Sequence, residues 1–289
     1  MERLTIQQIL DNSSSDVKKN DIEYCLMDCL GKDRVFLHTH KKYLLTFEEQ
    51  YKFNKYIDKL KESMPLAYVL GSQPFYKHHF IVSPHVLIPR SETEILVEQV
   101  IKTGERVYAE KQSVKILDLG AGSGCIGLSI AVDKPEWFVC LSDFKKEITN
   151  VIYKNKIKLN VNNCVITVVD WLTAFSQDSF DIIVTNPPYI DKSSSKIEEA
   201  VKKFEPSHAL YAEECGLSDI KEIIISSKKS LKNNGYLFIE NGYDQSKEIE
   251  DFLVKNDFKD IEVLLDYNNI GRFTKSRYIN GQKNSIKNC

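Results

Sequence analysis

The sequence predicts an α/β protein in which a small helical domain precedes a mostly parallel sheet that ends in an antiparallel hairpin. Three observations lead to this prediction. Residues 1–72 carry apolar residues at helical spacing. From Val114 onward, short apolar runs alternate with helical segments, which is the pattern of parallel α/β sheets. Near the C-terminus, the runs Phe258 to Leu265 and Arg272 to Ile279 indicate a terminal hairpin.

Length, charge and cysteine use narrow the class of protein. The 289 residues suffice for one large or two moderate domains, and a net charge of −2 provides no overall basic field for phosphate binding. Direct binding of nucleic acid is therefore disfavoured. The seven cysteines form no CxxC pair, and no apolar run reaches the length of a bilayer. We expect no targeting segment. We expect a monomeric cytoplasmic protein without membrane partners.

The helical region has a clear buried face and a clear helix start. An apolar face contains Ile22, Cys25, Leu26, Cys29 and Leu30, and Thr46 with Glu49 forms a capping-box pattern. Cys25 and Cys29 could share a metal, but two thiols with no partner ligand nearby favour core packing. No metal is therefore expected.

A linker is predicted after this region. Residues from Phe75 to Pro89 alternate apolar and polar around Ser83-Pro84, which favours a hairpin that turns there. The helix that follows starts with acidic residues. Arg90 could reach the cleft or pair with Glu92 or Glu94, and the local pattern favours the pair.

A glycine-rich turn marks a cofactor site. The strand Val114 to Leu119 leads into Gly120-Ala121-Gly122-Ser123-Gly124 and then an apolar helix from Cys125, so the backbone can approach a ligand closely. The next strand ends near Asp143, where a carboxylate could accept both ribose hydroxyls. Because Gly122, Gly124 and Gly127 also satisfy GxGxxG, a nicotinamide-binding domain remains open.

The third strand, Val165 to Val169, leads to Trp171. Its indole could stack on adenine, although a buried core tryptophan fits this position equally well. The three strand ends would then meet at one nucleoside-shaped site.

The tetrapeptide Asn186-Pro187-Pro188-Tyr189 follows a buried strand, Phe180 to Thr185. Ligands of open α/β sheets bind outside the carboxyl ends of the strands, so the tetrapeptide should lie on the rim of a cleft. The prolines restrict the backbone and present carbonyls, and Asn186 adds a side-chain carbonyl, so the segment can accept hydrogen bonds from an NH2 group. Tyr189 offers a flat face for an amide or a base. This composition suits amino-group methylation and has no use in hydride transfer. A rigid turn explains the tetrapeptide alone equally well, so the flanking sequence must decide between them.

Downstream, strands and helices continue to alternate. Asp191 to Lys203 is polar and predicts a mobile loop that closes over a substrate. A helix from Leu217 to Leu231, a strand from Gly235 to Glu240 and a helix from Gln245 to Lys255 follow.

These motifs together resemble the PrmC/HemK family of glutamine-N5 methyltransferases, which modify peptide chain release factors. The resemblance covers nearly the whole chain, and it is carried by Pro65 to Gly71, Val86 to Arg90 with Glu92-Thr93-Glu94, Ile116 to Ile126, Asn186 to Ile190, and Glu205-Pro206 with Ala209-Leu210. Adenine methyltransferases share the glycine turn and the tetrapeptide, but the Leu87 to Arg90 stretch after a helical domain is not typical of them. The chain departs from the family pattern at Glu213-Glu214-Cys215, where glycines are usual, and at Asn241, where isoleucine is usual. The segment 271–277 also matches the family pattern less closely.

The resemblance implies a Rossmann-like class I methyltransferase domain at 91–281, after a substrate-recognition domain at 1–72 and a linker at 73–90. Residues 282–289 are expected to be a disordered tail. S-adenosyl-L-methionine, converted to S-adenosyl-L-homocysteine, would be held by Gly120, Ala121, Gly122, Ser123, Gly124, Asp143, Trp171 and Asn186. The residues Asn186, Pro187, Pro188 and Tyr189 would bind the glutamine of the Gly-Gly-Gln loop of a release factor.

As a mechanistic hypothesis, Asn186 and Pro187 accept the two amide hydrogens and Tyr189 packs on the amide, so these three are the candidate catalytic residues. Adenine-N6 methylation of RNA or DNA remains an alternative, because an exocyclic amine needs the same acceptors. A non-catalytic adenosylmethionine-binding protein is the third interpretation.

Overall fold

The computed structural model describes residues 3–12, 16–194 and 197–280. The chain forms two compact units, the first from residues 1–72 with 198–204 and the second from residues 73–197 with 205–289. The predicted tail at 282–289 lies outside the described residues. No helix in the described ranges combines the length and apolarity needed to cross a bilayer.

The first unit is helical, as the apolar spacing predicts. Its helices are α1 Ile6–Asp11, α2 Lys19–Leu30, α3 Arg34–Thr39, α4 Phe47–Lys61, α5 Leu66–Leu70 and α9 Glu199–Phe204. The capping box at the start of α4 is confirmed, since Thr46 Oγ1 accepts from the Glu49 N–H at 3.2 Å and Glu49 Oε2 accepts from the Thr46 N–H at 2.7 Å. Cys25 packs in the core, and burial raises the pKa of its thiol to about 12.

The interpretation of Asp191 to Lys203 as a loop is wrong over part of its length. Ile190–Asp191 forms a short strand, β7, and α9 occupies Glu199–Phe204. Lys203 Nζ also donates to the Glu62 carbonyl at 3.2 Å. The polar composition concealed these elements because a short helix with an exposed surface has little apolar periodicity.

The hairpin before the sheet is present, but its predicted turn is wrong. The strands are β1 Ser72–Phe75 and β2 His78–Ile81, and they reverse at Tyr76-Lys77. A separate turn starts at Ser83, whose carbonyl accepts from the Val86 N–H at 3.0 Å. Apolar and polar residues alternate in a strand and also in extended chain outside it. The pattern therefore does not show at which residue the two strands reverse.

The second unit is built on a seven-stranded sheet with the order β10-β11-β9-β6-β3-β4-β5. The strands are β3 Lys115–Leu119, β4 Phe138–Asp143, β5 Cys164–Val168, β6 Phe180–Thr185, β9 Leu231–Glu240, β10 Phe258–Leu265 and β11 Gly271–Tyr278. Strands β3, β4, β5, β6 and β9 are parallel, and β10 and β11 form the predicted antiparallel hairpin. A separate two-stranded sheet pairs β7 with β8 Tyr211–Ala212.

Helices pack on both faces of this sheet. They are α6 Thr93–Lys111, α7 Cys125–Asp133, α8 Lys146–Lys158, α11 Ser218–Ser230 and α12 Ser246–Lys255. The short segment α10, Glu213–Gly216, contains left-handed residues and contacts α11, β7 and β8. Successive strand residues enter different apolar clusters: Ile182 and Val184 lie in one cluster and Ile183 in the other. Both faces of β6 are thus buried, which accounts for its continuous apolar sequence. The α/β prediction is confirmed.

Candidate active site

The carboxyl ends of the parallel strands surround a cavity of about 340 Å³ in the second unit. Its wall includes the turn after β3, the ends of β4 and β5, and the residues that follow β6. Among the predicted site residues, the lining contains Gly120, Ala121, Gly122, Ser123, Asp143, Trp171, Asn186, Pro187 and Pro188. Parallel pairing of β4, β3 and β6 brings these segments to one edge of the sheet.

The glycine turn presents its backbone to this cavity. Gly120 and Gly122 have φ values of 68° and 57°, and a Cβ placed on Gly122 would meet no atom within 4 Å. The missing side chain at Gly122 therefore leaves open space for a ligand. Gly124 has a different role: it lies outside the lining, has φ of 80° at the start of α7, and its Cβ would lie 2.9 Å from Ile152.

Asp143 links the glycine turn to the end of β4. Its Oδ2 accepts from the Gly122 N–H at 2.9 Å and its Oδ1 accepts from the Phe144 N–H at 2.8 Å. Burial raises the pKa of this carboxyl to about 6, against the lowering effect of these two N–H groups. Each carboxylate oxygen can accept a further hydrogen bond, so Asp143 can bind two hydroxyls across the cavity wall.

Trp171 forms another part of the wall, and it also packs against an apolar core cluster. Its ring lies 3.2 Å from the Cβ position of Gly120, so a larger residue at Gly120 would crowd the indole. Trp171 has φ of 40° and hydrogen-bonds through its side chain to Asp219, which also lines the cavity. The indole is thereby held as a fixed apolar face.

The tetrapeptide borders the same cavity through Asn186, Pro187 and Pro188. The residue before it, Thr185, is buried and donates from Oγ1 to the Leu119 carbonyl at 2.8 Å. Within the described part of the chain, no hydrogen bond involves the Asn186 side chain or the Pro187 carbonyl. Two acceptors therefore remain available at the edge of the cavity.

Tyr189 lies beside the cavity and not in its lining. Its ring packs against the apolar cluster of β6 and β9, and its hydroxyl donates to Glu240 Oε1 at 3.4 Å. Burial, and next the charge of Glu240, raise the pKa of this phenol. The predicted packing of Tyr189 on an acceptor stays a prediction, because the contacts seen here are with the protein itself.

Arg90 lines the cavity, but its predicted pairing with Glu92 or Glu94 is wrong. Its Nη2 donates to Glu205 Oε1 at 2.6 Å, and Glu205 Oε2 also accepts from the Ile88 N–H at 3.2 Å. Glu94 instead accepts from the Tyr76 N–H at 2.9 Å. The partner lies 115 positions away, so local spacing could not identify it.

Sequence reasoning also missed Asn155, which is fully buried on α8. Its Nδ2 donates to the Ser123 carbonyl in the glycine turn and to the Ile81 carbonyl, each at 2.9 Å, and its Oδ1 accepts from the Ile81 N–H at 2.6 Å. One side chain thus connects the hairpin to the glycine turn. The available signal was a polar residue, Asn155, at helical spacing from the apolar residues Ile148, Val151 and Ile152.

Comparison with known proteins identifies the family. The profile of the PrmC N-terminal domain matches residues 5–71, and that of the methyltransferase small domain matches residues 91–210. The release factor glutamine methyltransferase of Francisella tularensis is 34% identical over 96% of this chain and 99% of its own length. The Escherichia coli enzyme of the same name is 31% identical over 92% of this chain and 94% of its own length.

The chain belongs to the release factor glutamine methyltransferase family. The resemblance predicted from the sequence is confirmed, and so is the enzyme class of adenosylmethionine-dependent methyltransferases. Among solved structures, the METTL16 methyltransferase domain is similar with a TM-score of 0.52 at 17% identity, over 70% of this chain and 88% of that one. At this identity the similarity shows the shared fold alone.

The residues of the cavity fit the cofactor of this family. An adenosine needs a hydroxyl acceptor, a face for the base and a close approach to the backbone, which Asp143, Trp171 and Gly122 respectively provide. The nicotinamide alternative has lost its support, because the family transfers methyl groups and not hydride.

Proposed function

We propose that this protein transfers a methyl group from S-adenosyl-L-methionine to the side-chain amide nitrogen, N5, of the glutamine in the Gly-Gly-Gln motif of peptide chain release factors. The modification would support translation termination. The observation that carries this proposal is a pair of acceptors, the Asn186 side chain and the Pro187 carbonyl, to which none of the described residues donates, beside a cavity suited to adenosine. Relatives that match nearly the full chain and are named release factor glutamine methyltransferases support the choice of acceptor.

The cofactor would lie along the glycine turn. Asp143 would accept the ribose hydroxyls, Trp171 would contact the adenine, and Gly120 to Ser123 would face the rest of the molecule. Gly124 would act by shaping the turn. When bound, the cofactor supplies an electrophilic methyl group on a sulfonium centre, and S-adenosyl-L-homocysteine is the product. Our proposal includes no metal.

Positioning of the acceptor is the main task of the protein. An amide nitrogen is a weak nucleophile because its lone pair is delocalised into the carbonyl. The Asn186 side-chain oxygen and the Pro187 carbonyl would accept one N–H each, which points the nitrogen into the cavity. Fixed dipoles aimed at charge that develops in the transition state are typically worth about 2.7–4 kcal/mol each. These two acceptors would therefore both orient the amide and stabilise positive charge on nitrogen. As the nitrogen–methyl bond forms and the sulfur–methyl bond breaks, the nitrogen loses one of its two protons.

Selection of the release factor needs a larger surface than one amide can offer. We assign this role to the helical residues 1–72, whose unit exposes Val35, Phe47 and Tyr51 to solvent at 67%, 66% and 63%. Exposed aromatic side chains are suited to protein binding. We further propose that the enzyme acts as a cytoplasmic monomer on the release factor protein without direct contact to nucleic acid.

The proposal is tested by incubating the purified protein with labelled S-adenosylmethionine and a release factor that contains Gly-Gly-Gln. Mass spectrometry of the digested factor should find one added methyl group on the Gly-Gly-Gln peptide. A factor with glutamate in place of that glutamine has no NH2 group and should stay unmodified. A methyl group on adenine of added RNA, with an unmodified factor, would instead favour the adenine-N6 alternative.

The role of Asn186 is tested in the same assay with Asn186→Ala. Turnover should fall by roughly 100-fold, because the missing acceptor acts on the amide in the transition state. Affinity for S-adenosylmethionine, measured by calorimetry, should fall much less. Asn162→Ala is a matched control at an exposed position, and it should retain wild-type turnover. Parallel losses of affinity and turnover in Asn186→Ala would contradict the proposed role.

A further inference from the structure

Gln245 is a buried side chain, 8% exposed, that joins three segments next to the active site. Its Nε2 donates to the Tyr189 carbonyl at 2.9 Å and to the Cys215 carbonyl at 3.1 Å. Its Oε1 accepts from the Gly242 N–H at 2.8 Å. The three bonds use both donors and one acceptor of the amide, so the orientation of this side chain is determined.

The tetrapeptide depends on such a contact because its prolines have no N–H groups. Neither Pro187 nor Pro188 can donate a backbone hydrogen bond, so the segment is held from its two ends. At the upstream end, Thr185 lies in β6 and donates to the Leu119 carbonyl. At the downstream end, the Tyr189 carbonyl accepts from Gln245 and the Ile190 N–H donates to the Leu210 carbonyl at 2.9 Å.

The packing around the downstream end leaves no space for a shift. Gly216 has φ of 85°, and a Cβ placed there would lie 2.1 Å from the Tyr189 carbonyl oxygen and 2.7 Å from Gln245 Nε2. The turn, the tetrapeptide and the Gln245 amide are therefore in direct contact. Movement of one requires movement of the others.

We infer that Gln245 is a positioning residue for methyl transfer, which sets the location of the Asn186 and Pro187 acceptors by holding the Tyr189 carbonyl. Gln245 does not line the cavity, so it acts through Tyr189 and does not touch the reacting groups. The inference rests on the proposed role of the tetrapeptide in binding the acceptor NH2. A displacement of about 1 Å in such a site can reduce the rate about 100-fold.

The decisive variant is Gln245→Glu. Its carboxylate retains an acceptor for the Gly242 N–H but has no donors for the two carbonyls that it faces. At about pH 8, we expect turnover to fall on the order of 100-fold, while the affinity for S-adenosylmethionine stays within about twofold. Burial against carbonyls raises the pKa of the new carboxyl, and its protonated form can donate to one of them. The ratio of variant to wild-type kcat should therefore rise as the pH is lowered.

Two further variants separate positioning from general damage. Gln245→Met has a similar volume and no hydrogen bonds, so its kcat ratio should stay low at every pH. Gln112→Glu introduces the same charge at an exposed position and should match the wild type throughout. If near-UV circular dichroism shows that Gln245→Glu does not fold, Gln245→Asn is measured in its place. Its kcat should fall by less than the value expected for Gln245→Glu, and its affinity for S-adenosylmethionine should be unchanged.

The wild-type enzyme is assayed with both a Gly-Gly-Gln release factor and RNA. If the proposed function is wrong, the wild-type enzyme will methylate RNA and leave the release factor unmodified. The kcat ratios are then measured with whichever acceptor is methylated, because both acceptors use the same NH2 site. A Gln245→Glu enzyme with wild-type kcat, with a pH-independent ratio, or with equal losses of affinity and turnover overturns the inference.

Discussion

At the scale of single residues, Asp143 shows how burial and hydrogen bonding oppose each other at a binding site. The residue is 6% exposed, and two backbone N–H groups orient its carboxyl oxygens. Burial dominates and raises its pKa to about 6. The free enzyme therefore holds a carboxyl that loses its proton only slightly below neutral pH.

This pKa predicts that cofactor affinity depends on pH. Ribose hydroxyls donate to the ionised form of Asp143, so affinity should be full above about pH 7 and fall as the pH drops through 6, approaching tenfold per pH unit. Calorimetric titration with S-adenosylmethionine between about pH 5 and pH 8 measures this. Asp143→Asn should bind more weakly at pH 8 and should lose this dependence. An unchanged wild-type Kd across the range would remove Asp143 from the ribose site.

At the scale of elements, one departure from the family pattern lies in the turn Glu213–Gly216. Glu214 and Cys215 have φ of 52° and 57°, in the left-handed region that glycine adopts without steric cost. The other departure, Asn241, is fully buried but well bonded: it donates to Ser246 Oγ at 3.1 Å and accepts from Thr274 Oγ1 at 2.9 Å. The backbone is therefore strained at Glu214 and Cys215, whereas the side chain of Asn241 is satisfied by hydrogen bonds to its polar neighbours.

The strain predicts that Cys215→Gly stabilises the protein. Relief of a left-handed residue is worth about 1–2 kcal/mol, and the added freedom of glycine in the unfolded chain offsets about 0.4–1 kcal/mol of it. We expect the free energy of unfolding in urea to rise by about 0.5–1 kcal/mol. Asn160→Gly, at φ of 54°, is the control and should gain less, because asparagine tolerates this region. A destabilised Cys215→Gly protein would show that the thiol makes a stronger contribution than the strain.

At the scale of the whole molecule, several buried carboxyls share a direction of pKa shift. Burial raises the pKa of both Asp118 and Glu240 to about 7. Asp181 differs: burial acts to raise its pKa, but hydrogen bonds from Lys232 and Lys111 hold it below its usual value. The stability that ionised Asp181 contributes is therefore lost only at acid pH, below the range in which Asp118 and Glu240 titrate.

These shifts predict that the ligand-free protein becomes less stable as the pH rises from about 5 to 8. A carboxyl with a raised pKa in the folded state stabilises that state at low pH, and the contribution disappears as the pH passes through the raised value. The decrease should exceed about 1.4 kcal/mol, the value of one pKa unit. Burial lowers the pKa of His208, so this one residue adds stability as the pH rises and opposes the decrease. Urea unfolding at both pH values measures the difference, and Glu240→Gln should reduce it. Greater stability at pH 8 would contradict this account.

The sequence by itself determined the parts of the protein that depend on local pattern. Hydrophobic periodicity located the strands β3 and β6 and the terminal hairpin within a few residues. The glycine turn and the tetrapeptide follow parallel strands directly, Asp143 is the last residue of another, and such strands place their carboxyl ends at one edge. Their meeting at one cavity was therefore predictable without coordinates.

Only the tertiary structure decided the contacts between distant segments. Arg90 pairs with Glu205, which is 115 positions away, and Gln245 holds the Tyr189 carbonyl across 56 positions. The turn of the β1–β2 hairpin and the inward packing of Tyr189 were likewise not encoded in neighbouring residues. Periodicity reports which face of an element is buried, whereas the partner of a side chain depends on how the completed fold brings separate elements together.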